Sequence, residues 1–311
     1  MLEVMALVVS TLPTCSVVVA TYLRPDRLKG CVEALAALDY PSDRLEAIIV
    51  DDGGGIPLRP VLAPFQDRLE LTFVESEHRG QSHARNLGVE RARGDLVAFT
   101  DDDCRPDPSW LRLLAQRHQA APADGFGGHT VNSLHNAYSA TSQLVLDVGY
   151  RKLNTSGPSA RFFTTNNLVV PREGFLAVGG LNPMFTTSED REFCERWVAS
   201  GRRLTYVPEA VVHHYHELTF ASFVRQHFAY GRGAFRYHRT RSRRTGRRSR
   251  IEPSFHVGLV LLEPWRAASG LDAVRLAALL QVWNVANTAG FVWEWLRSRN
   301  GTRATAFGGA L

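Results

Sequence analysis

Three consecutive aspartates, Asp101-Asp102-Asp103, are the residues of this chain whose type and spacing point most directly to chemistry. Adjacent carboxylates repel one another, so a cluster at a strand end calls for a compensating cation. Hard oxygen ligands suit magnesium or manganese, usually held by one or two carboxylates together with substrate phosphates. A cation there would neutralise charge as a diphosphate leaving group departs. In extended chain, residues two apart point the same way, so Asp101 and Asp103 are expected to share a side and Asp102 to face the other. The triplet also reads as a solvated acidic turn ahead of a helix near Pro108.

Two weaker signals accompany it. Asp51-Asp52 runs into Gly53-Gly54-Gly55. Glycine lets backbone approach a ligand closely, and a carboxylate accepts hydrogen bonds from a base or sugar. Acid before glycine is ordinary turn chemistry as well. Between the two acidic groups lie His78-Arg79-Gly80 and Ala84-Arg85-Asn86. The Arg85 guanidinium suits donor phosphate or uracil oxygens, and equally suits a plain surface position.

The elements that must position these groups alternate. Ser16–Ala20 is a short β-branched run, and Pro25 then opens a pattern with Leu28, Val32, Leu35 and Leu38 at helical spacing. Ala47–Val50, Leu69–Val74 and Leu96–Thr100 read as further strands, with a helix over Gln81–Ala92. This order predicts an α/β fold whose mostly parallel sheet is flanked by helices on both faces. Ligands of such sheets bind at the carboxyl ends of the strands, where the acidic residues fall. Beyond them, helices are expected at Pro108–Gln119, Glu189–Ser200 and Phe220–Tyr237. Extended chain is expected at Phe126–Val131 and Leu204–His214, and Phe162–Val170 ends in an apolar run before Pro171.

With 311 residues, 44% hydrophobic and 22% charged, the chain has the composition of a globular protein with a sizeable core. Cys15, Cys31, Cys104 and Cys194 are scattered without metal or redox spacing, which fits a reducing cytoplasm. Met1–Ser10 is apolar but contains Glu3 and lacks a basic leader, so it is not read as a signal peptide. The +5 charge is uneven, and residues 232–250 hold many arginines and no acid. No aromatic platforms interleave the core of that run, which argues against nucleic acid. Basic and apolar segments side by side suit anionic lipid, on the inner face of a membrane. The apolar partner would be Leu271–Leu296. Its Gln281, Asn284, Asn287 and Thr288 leave it too polar for a bilayer span. A core helix, packed on the catalytic domain or on another subunit as in a homodimer, fits it best, ahead of an interfacial helix.

Together the motifs carry a resemblance. VVVATYLR at 17–24, IIVDDGG at 48–54, HRGQSHARNLG at 78–88 and GDLVAFTDDDC at 94–104 resemble the family 2 glycosyltransferases of the GT-A fold. So do TTNNLVVPREGFLAVGGLNPMF at 164–185, SEDREFCERW at 188–197 and VPEAVVHHYH at 207–216. The resemblance spans about 14–235. It implies a catalytic domain over 1–220, with a donor half at 14–104 and an acceptor half at 105–220, and a helical extension over 221–311.

By this resemblance, Thr21, Tyr22, Arg24, Asp51, Asp52, Arg85 and Asp102 would hold the donor nucleotide. Asp101 and Asp103 would bracket Mn2+ or Mg2+, and His214 or His213 would complete the site. Asn166, Asn167 and Gly180 would line the sugar and acceptor side. Asp190 would be the general base that takes the acceptor proton, with Glu189 as the other carboxylate of the pair. Both acids open a helix, where the backbone dipole favours the charged form and lowers a carboxylate pKa. The implied reaction moves one sugar, with inversion, from a nucleotide diphosphate donor, most simply a UDP-sugar. A glycan, lipid-linked sugar, natural product or protein would be the acceptor. Processive members carry a QxxRW-type motif well after the acidic pair, whereas Arg196-Trp197 here stands inside the same helix. Two other classes remain open at this point. A sugar-phosphate nucleotidyltransferase usually has a glycine-rich first loop, absent at Ala20–Arg24. A non-catalytic sugar-nucleotide binder would need no base.

Overall fold

The computed structural model describes residues 12–122, 124–154, 159–246 and 258–307. Met1–Ser10 and the last arginines of the basic run, at 247–250, lie outside the described residues.

The donor half is a stack of buried parallel strands. Strands β1 (Cys15–Thr21), β2 (Leu45–Asp51), β3 (Glu70–Glu75) and β4 (Leu96–Asp101) alternate with helices α1 (Pro25–Leu35), α2 (Arg59–Leu62) and α3 (Gln81–Arg91). The order β3-β2-β1-β4 runs parallel, with Thr21 opposite Asp51, Asp51 opposite Glu75, and Ala20 opposite Asp101. The polar strand ends are therefore level, as the sequence order requires. Alternation divides the β-branched residues between two faces. Val17, Val19, Ala47 and Ile49 pack with Leu28, Val32 and Leu35 of α1. Val18, Ile48, Val50 and Phe99 pack with Ala84 and Val89 of α3. Gly88 lets α3 lie against β1, since a Cβ there would stand 2.4 Å from Val18 Cγ1.

The acceptor half makes the sheet mixed. Strands β5 (Cys104–Pro106), β6 (Gly125–Asn132), β7 (Leu168–Pro171) and β8 (Leu204–His214) extend it to β3-β2-β1-β4-β7-β6-β8-β5. Strand β7 runs antiparallel to β4 and β6, and β5 runs antiparallel to β8. Helices α4 (Trp110–Ala120), α5 (Ala137–Leu153), α6 (Arg172–Ala177) and α7 (Glu189–Ala199) complete this half.

Helix α5 has no strong sequence signature, being rich in serine, threonine and valine. It forms because the Asn136 side chain caps its first amides and because Leu144, Val145 and Val148 pack on the C-terminal cluster. Helix α8 (Phe220–Thr245) overruns the expected end at Tyr237 and stops at Gly246, which has φ 67°. The arginines beyond Tyr237 continue the helix because Arg241 and Arg244 pair with Glu195, and Arg244 with Glu192, both acids on α7. Arg232 and Arg236 bind Glu294 of the C-terminal helix, Gly270–Phe307. That helix lies directly on α8. A Cβ on Gly231 would stand 1.9 Å from the Asn287 carbonyl oxygen, and one on Gly290 would stand 1.9 Å from that of Phe228. No helix among the described residues is long and apolar enough to cross a membrane.

Candidate active site

Strand ends β1 and β2 build one wall of the site. The Thr21 hydroxyl donates to Asp102 at 2.8 Å, and Asp51 accepts the Gly54 amide at 2.9 Å. Asp52 turns inward and accepts the amides of Arg79 and Gly80, each at 2.9 Å, with His78 Nδ1 at 3.0 Å. Its carboxylate thus fixes the 78–80 loop instead of facing a ligand. That loop carries the His78 ring onto Tyr22, with centroids 4.3 Å apart and planes 25° from parallel. Tyr22 stays 40% exposed, so the stacked pair offers a flat aromatic surface beside the strand ends.

The aspartates depart from simple alternation. Strand β4 ends at Asp101, and Asp102 and Asp103 occupy a turn before β5. Asp102 does not face away from Asp103, because Arg24 Nη1 reaches both, at 3.3 and 3.5 Å. Arg27, on the first turn of α1, adds a contact to Asp103 at 3.3 Å. Asp102 is buried, and burial together with the negative Asp103 pushes its pKa up to about 6. Burial opposes ionisation of Asp103 too. There the hydrogen bond and charge of His214, with His216 and Arg24, win and hold the carboxyl below its usual range.

The histidines separate as strand alternation requires. His214 Nε2 lies 3.2 Å from Asp103 Oδ1, and the His216 ring stacks on His214 at 4.7 Å. Burial would lower the His214 pKa, but Asp103 raises it. His213 turns to Asp107 at 3.5 Å and Ser133 at 3.3 Å, away from the aspartates. Ligand atoms of Asp103, Cys104 and His214 all lie within 4.8 Å of one another. Burial keeps the Cys104 thiol well above its ordinary pKa, so protonated sulfur is a poor partner for a hard cation. The donor set that fits such an ion is carboxylate and imidazole.

Helix α7 supplies the opposite wall. Ser188 adopts φ 68°, a left-handed conformation rare for serine, and the helix starts at Glu189. Glu189 is buried, accepting Gln81 Nε2 at 2.7 Å and Arg85 Nη1 at 3.0 Å. The second arm of Arg85 holds Asp101 at 2.6 Å. Arg85 is 3% exposed and links the two walls of the site. Asp190 accepts the Arg191 amide at 2.7 Å. Burial, then the charge of Glu189, pushes Asp190 up to about 7. The expected lowering by the helix dipole is reversed because desolvation next to a second acid outweighs it. Tyr230 of α8 stands close enough for the charges of Asp190 and Glu189 to act on its hydroxyl.

Three residues expected on the acceptor side make framework hydrogen bonds. Asn167 is fully buried, with its oxygen accepting Trp110 Nε1 and the Gly128 amide, and its nitrogen donating to His129 and Ala210 carbonyls. No hydrogen-bonding capacity remains for a sugar. Asn166 accepts hydroxyls of Thr130 at 3.2 Å and Thr164 at 2.6 Å. Gly180, with φ 64°, makes a turn whose carbonyl accepts Arg196 Nη2 at 2.7 Å. Arg196 also forks onto Glu192, so Arg196-Trp197 is structural, as its position inside the helix suggested. Gln81, Arg27 and Tyr230 escaped the sequence reading. Gln81 was visible only as the first residue of a helix, and Arg27 and Tyr230 carry no local signal.

A site with acidic strand ends on one side and an acidic helix start on the other has counterparts. Residues 16–179 match the model of the family described as glycosyl transferase family 2. The chain belongs to that family. Among family relatives it resembles glycosyltransferase AglE of Haloferax volcanii, 25% identical over 233 residues, covering 72% of this chain and 74% of the relative. It also resembles the pre-mycofactocin glycosyltransferase of Mycobacterium tuberculosis, 28% identical over 200 residues, covering 61% of this chain but 42% of the relative. The fold matches the mannosyltransferase PcManGT from Pyrobaculum calidifontis, solved with GDP-Man and Mn2+, at TM-score 0.65 and 18% identity. That match covers 92% of this chain and 88% of the other. This family 2 member is a glycosyltransferase of the GT-A fold. The nucleotidyltransferase and non-catalytic readings fall away.

Proposed function

We propose that the enzyme transfers a single sugar, with inversion, from a nucleotide diphosphate donor to an acceptor hydroxyl, with Asp190 as general base. The observation that carries this reading is the contrast within the acidic pair. Both carboxyls are raised by burial, but Glu189 is clamped by Arg85 and Gln81, whereas Asp190, raised to about 7, makes no arginine ion pair among the described residues. A carboxylate poised near neutrality is matched to proton abstraction. As the acceptor oxygen bonds to the anomeric carbon, its proton passes to Asp190 and the nucleoside diphosphate leaves from the opposite face.

The donor nucleotide lies along Thr21, Tyr22 and Asp51, with the Tyr22–His78 stack beneath its base. Asp101, Asp103 and His214 would hold Mn2+ or Mg2+, and the bound ion would supply Lewis-acid neutralisation of the diphosphate. Arg24 and Arg27, already drawn to the aspartates, add fixed positive charge on the same side. A UDP-sugar is the simplest donor, and the GDP-Man seen in the Pyrobaculum structure makes a guanosine donor the competing choice. Absence of a QxxRW-type motif supports single addition. The deciding experiment screens UDP-, GDP- and dTDP-sugars for metal-dependent hydrolysis and anomeric configuration. The reading is refuted if hydrolysis survives chelation or the product retains configuration.

A further inference from the structure

The C-terminal helix is apolar on two opposite sides, and α8 covers one of them. Ala273, Leu280, Trp283, Ala286 and Glu294 are buried towards the body of the protein. Leu271, Val274, Val285, Val292 and Leu296 follow helical spacing on the other side and are exposed. Leu271 is 64% and Val285 67% exposed, and Trp293 beside the stripe is 57% exposed. Glu294 turns inward to Arg232 and Arg236, so the exposed side carries no charged residue between Arg275 and Arg297. From Leu271 to Leu296 the stripe is about 38 Å long at the helical rise of 1.5 Å per residue. The short helix Glu263–Ala267 continues it, with Leu261, Leu262 and Trp265 more than half exposed. A cavity of about 600 Å³ opens between this segment and α5, lined on one side by Ala267, Leu276 and Leu279.

Gln281 and Thr288 interrupt that side with uncharged polar groups, and a largely apolar face of this length implies a covering surface. The flanking charges choose among candidates. Glu263 is neutralised by Arg151 and Arg266, and Asp272 by Arg275. At the far end, Trp295-Leu296-Arg297-Ser298-Arg299 has two arginines and no acid, with Arg299 stacked over Trp295 at 4.8 Å. Tryptophan beside arginine is the side-chain chemistry of a lipid headgroup boundary. We infer that this face, from Leu261 through Trp265 and along the C-terminal helix to Arg299, docks the enzyme on an anionic lipid bilayer. Four of the seven arginines of α8, Arg232, Arg236, Arg241 and Arg244, are paired with acids inside the fold and are not the contact. The acyl chains seal the cavity mouth, and the helix lies in the plane of the surface without crossing it.

The test measures co-sedimentation of the full chain with vesicles of phosphatidylcholine alone or with added phosphatidylglycerol, without donor or acceptor. Failure of the transfer reading would therefore leave this result untouched. Binding is expected to be at least tenfold tighter with phosphatidylglycerol and to weaken with salt. The triple variant Leu271→Glu, Val285→Glu, Trp293→Glu keeps helix-forming residues and should lose at least tenfold in affinity. Arg297→Gln with Arg299→Gln should weaken binding severalfold on phosphatidylglycerol and leave phosphatidylcholine binding unchanged. Circular dichroism and metal-dependent donor hydrolysis should match the parent in both. Equal vesicle binding by parent and triple variant overturns the inference. So does a parent that binds neither vesicle, including one that sediments as a dimer dissociated by the triple substitution.

Discussion

Asp101 and Glu189 are held by opposite arms of one buried guanidinium, Arg85 lying 2.6 Å from the first and 3.0 Å from the second. The last residue of β4 and the first residue of α7 are thereby fixed relative to each other. A planar fork suits this bridge, whereas a lysine ammonium cannot span both acids in that geometry. Arg85→Lys should lower kcat at least tenfold with a smaller change in donor KM. Arg85→Ala should cost about 3–5 kcal/mol of stability, since it leaves a buried carboxylate unpaired. Urea unfolding and steady-state kinetics on the two variants separate these effects. A fully active, fully stable Arg85→Ala would show that the bridge positions nothing.

Asp190→Asn should leave donor binding within about twofold and reduce transfer by about 10²–10⁴. Titration calorimetry with the donor and single-turnover transfer assays check each half. In the parent, transfer should rise with pH and level off above the Asp190 value of about 7, because the base must be ionised to accept a proton. The Asn variant should lack that limb.

The same residue makes a stability prediction of definite sign. The folded pKa of Asp190 is raised above its ordinary value, so folding favours the protonated acid. Its stabilising contribution is whole below about pH 4 and is lost as pH rises through about 7. Asp190→Asn should therefore raise Tm at pH 8 by several degrees and change it little at pH 4. Thermal scans of both proteins across that range provide the measurement.

Asp103→Ala should abolish metal-dependent donor binding, while His214→Gln should weaken Mn2+ binding by about 10–100-fold. His213→Gln should leave Mn2+ affinity unchanged, since its ring faces Asp107 and Ser133. Manganese titration followed by electron paramagnetic resonance distinguishes the three.

Gly231→Ala should destabilise the fold by about 1–3 kcal/mol, because the added methyl group meets the Asn287 carbonyl of the C-terminal helix. Gly149→Ala, where nothing lies within 4 Å of the added atom, is the control and should unfold like the parent.

The donor half was readable from the chain because buried parallel strands must be β-branched runs, and their polar ends fall level whenever helices separate them. The aspartates were legible by adjacency. Their orientations were not, because residues 102 and 103 leave the strand for a turn and meet on Arg24. The link from Arg85 to Glu189 was not legible, because the two are distant in sequence and only the fold brings them together. The hydrogen bonds of Asn167 were hidden for a related cause, since they come from three separate segments. The Asp190 shift depends on solvent exclusion, which local patterning does not encode. Helix α5 was missed because long-range packing makes it.

Helix α8 rests on the Ser188 turn as well as on the C-terminal helix. A Cβ on Gly233 would stand 2.1 Å from Thr187 Oγ1 and 2.8 Å from Ser188 Oγ. The seat of Asp190 is thus braced by α3 on one side and, on the other, by α8, which lies downstream of residue 179, where the family match ends. Trimming the chain to the matched region would discard both the proposed base and its α8 brace, so the minimal working unit of this enzyme must reach into the tail.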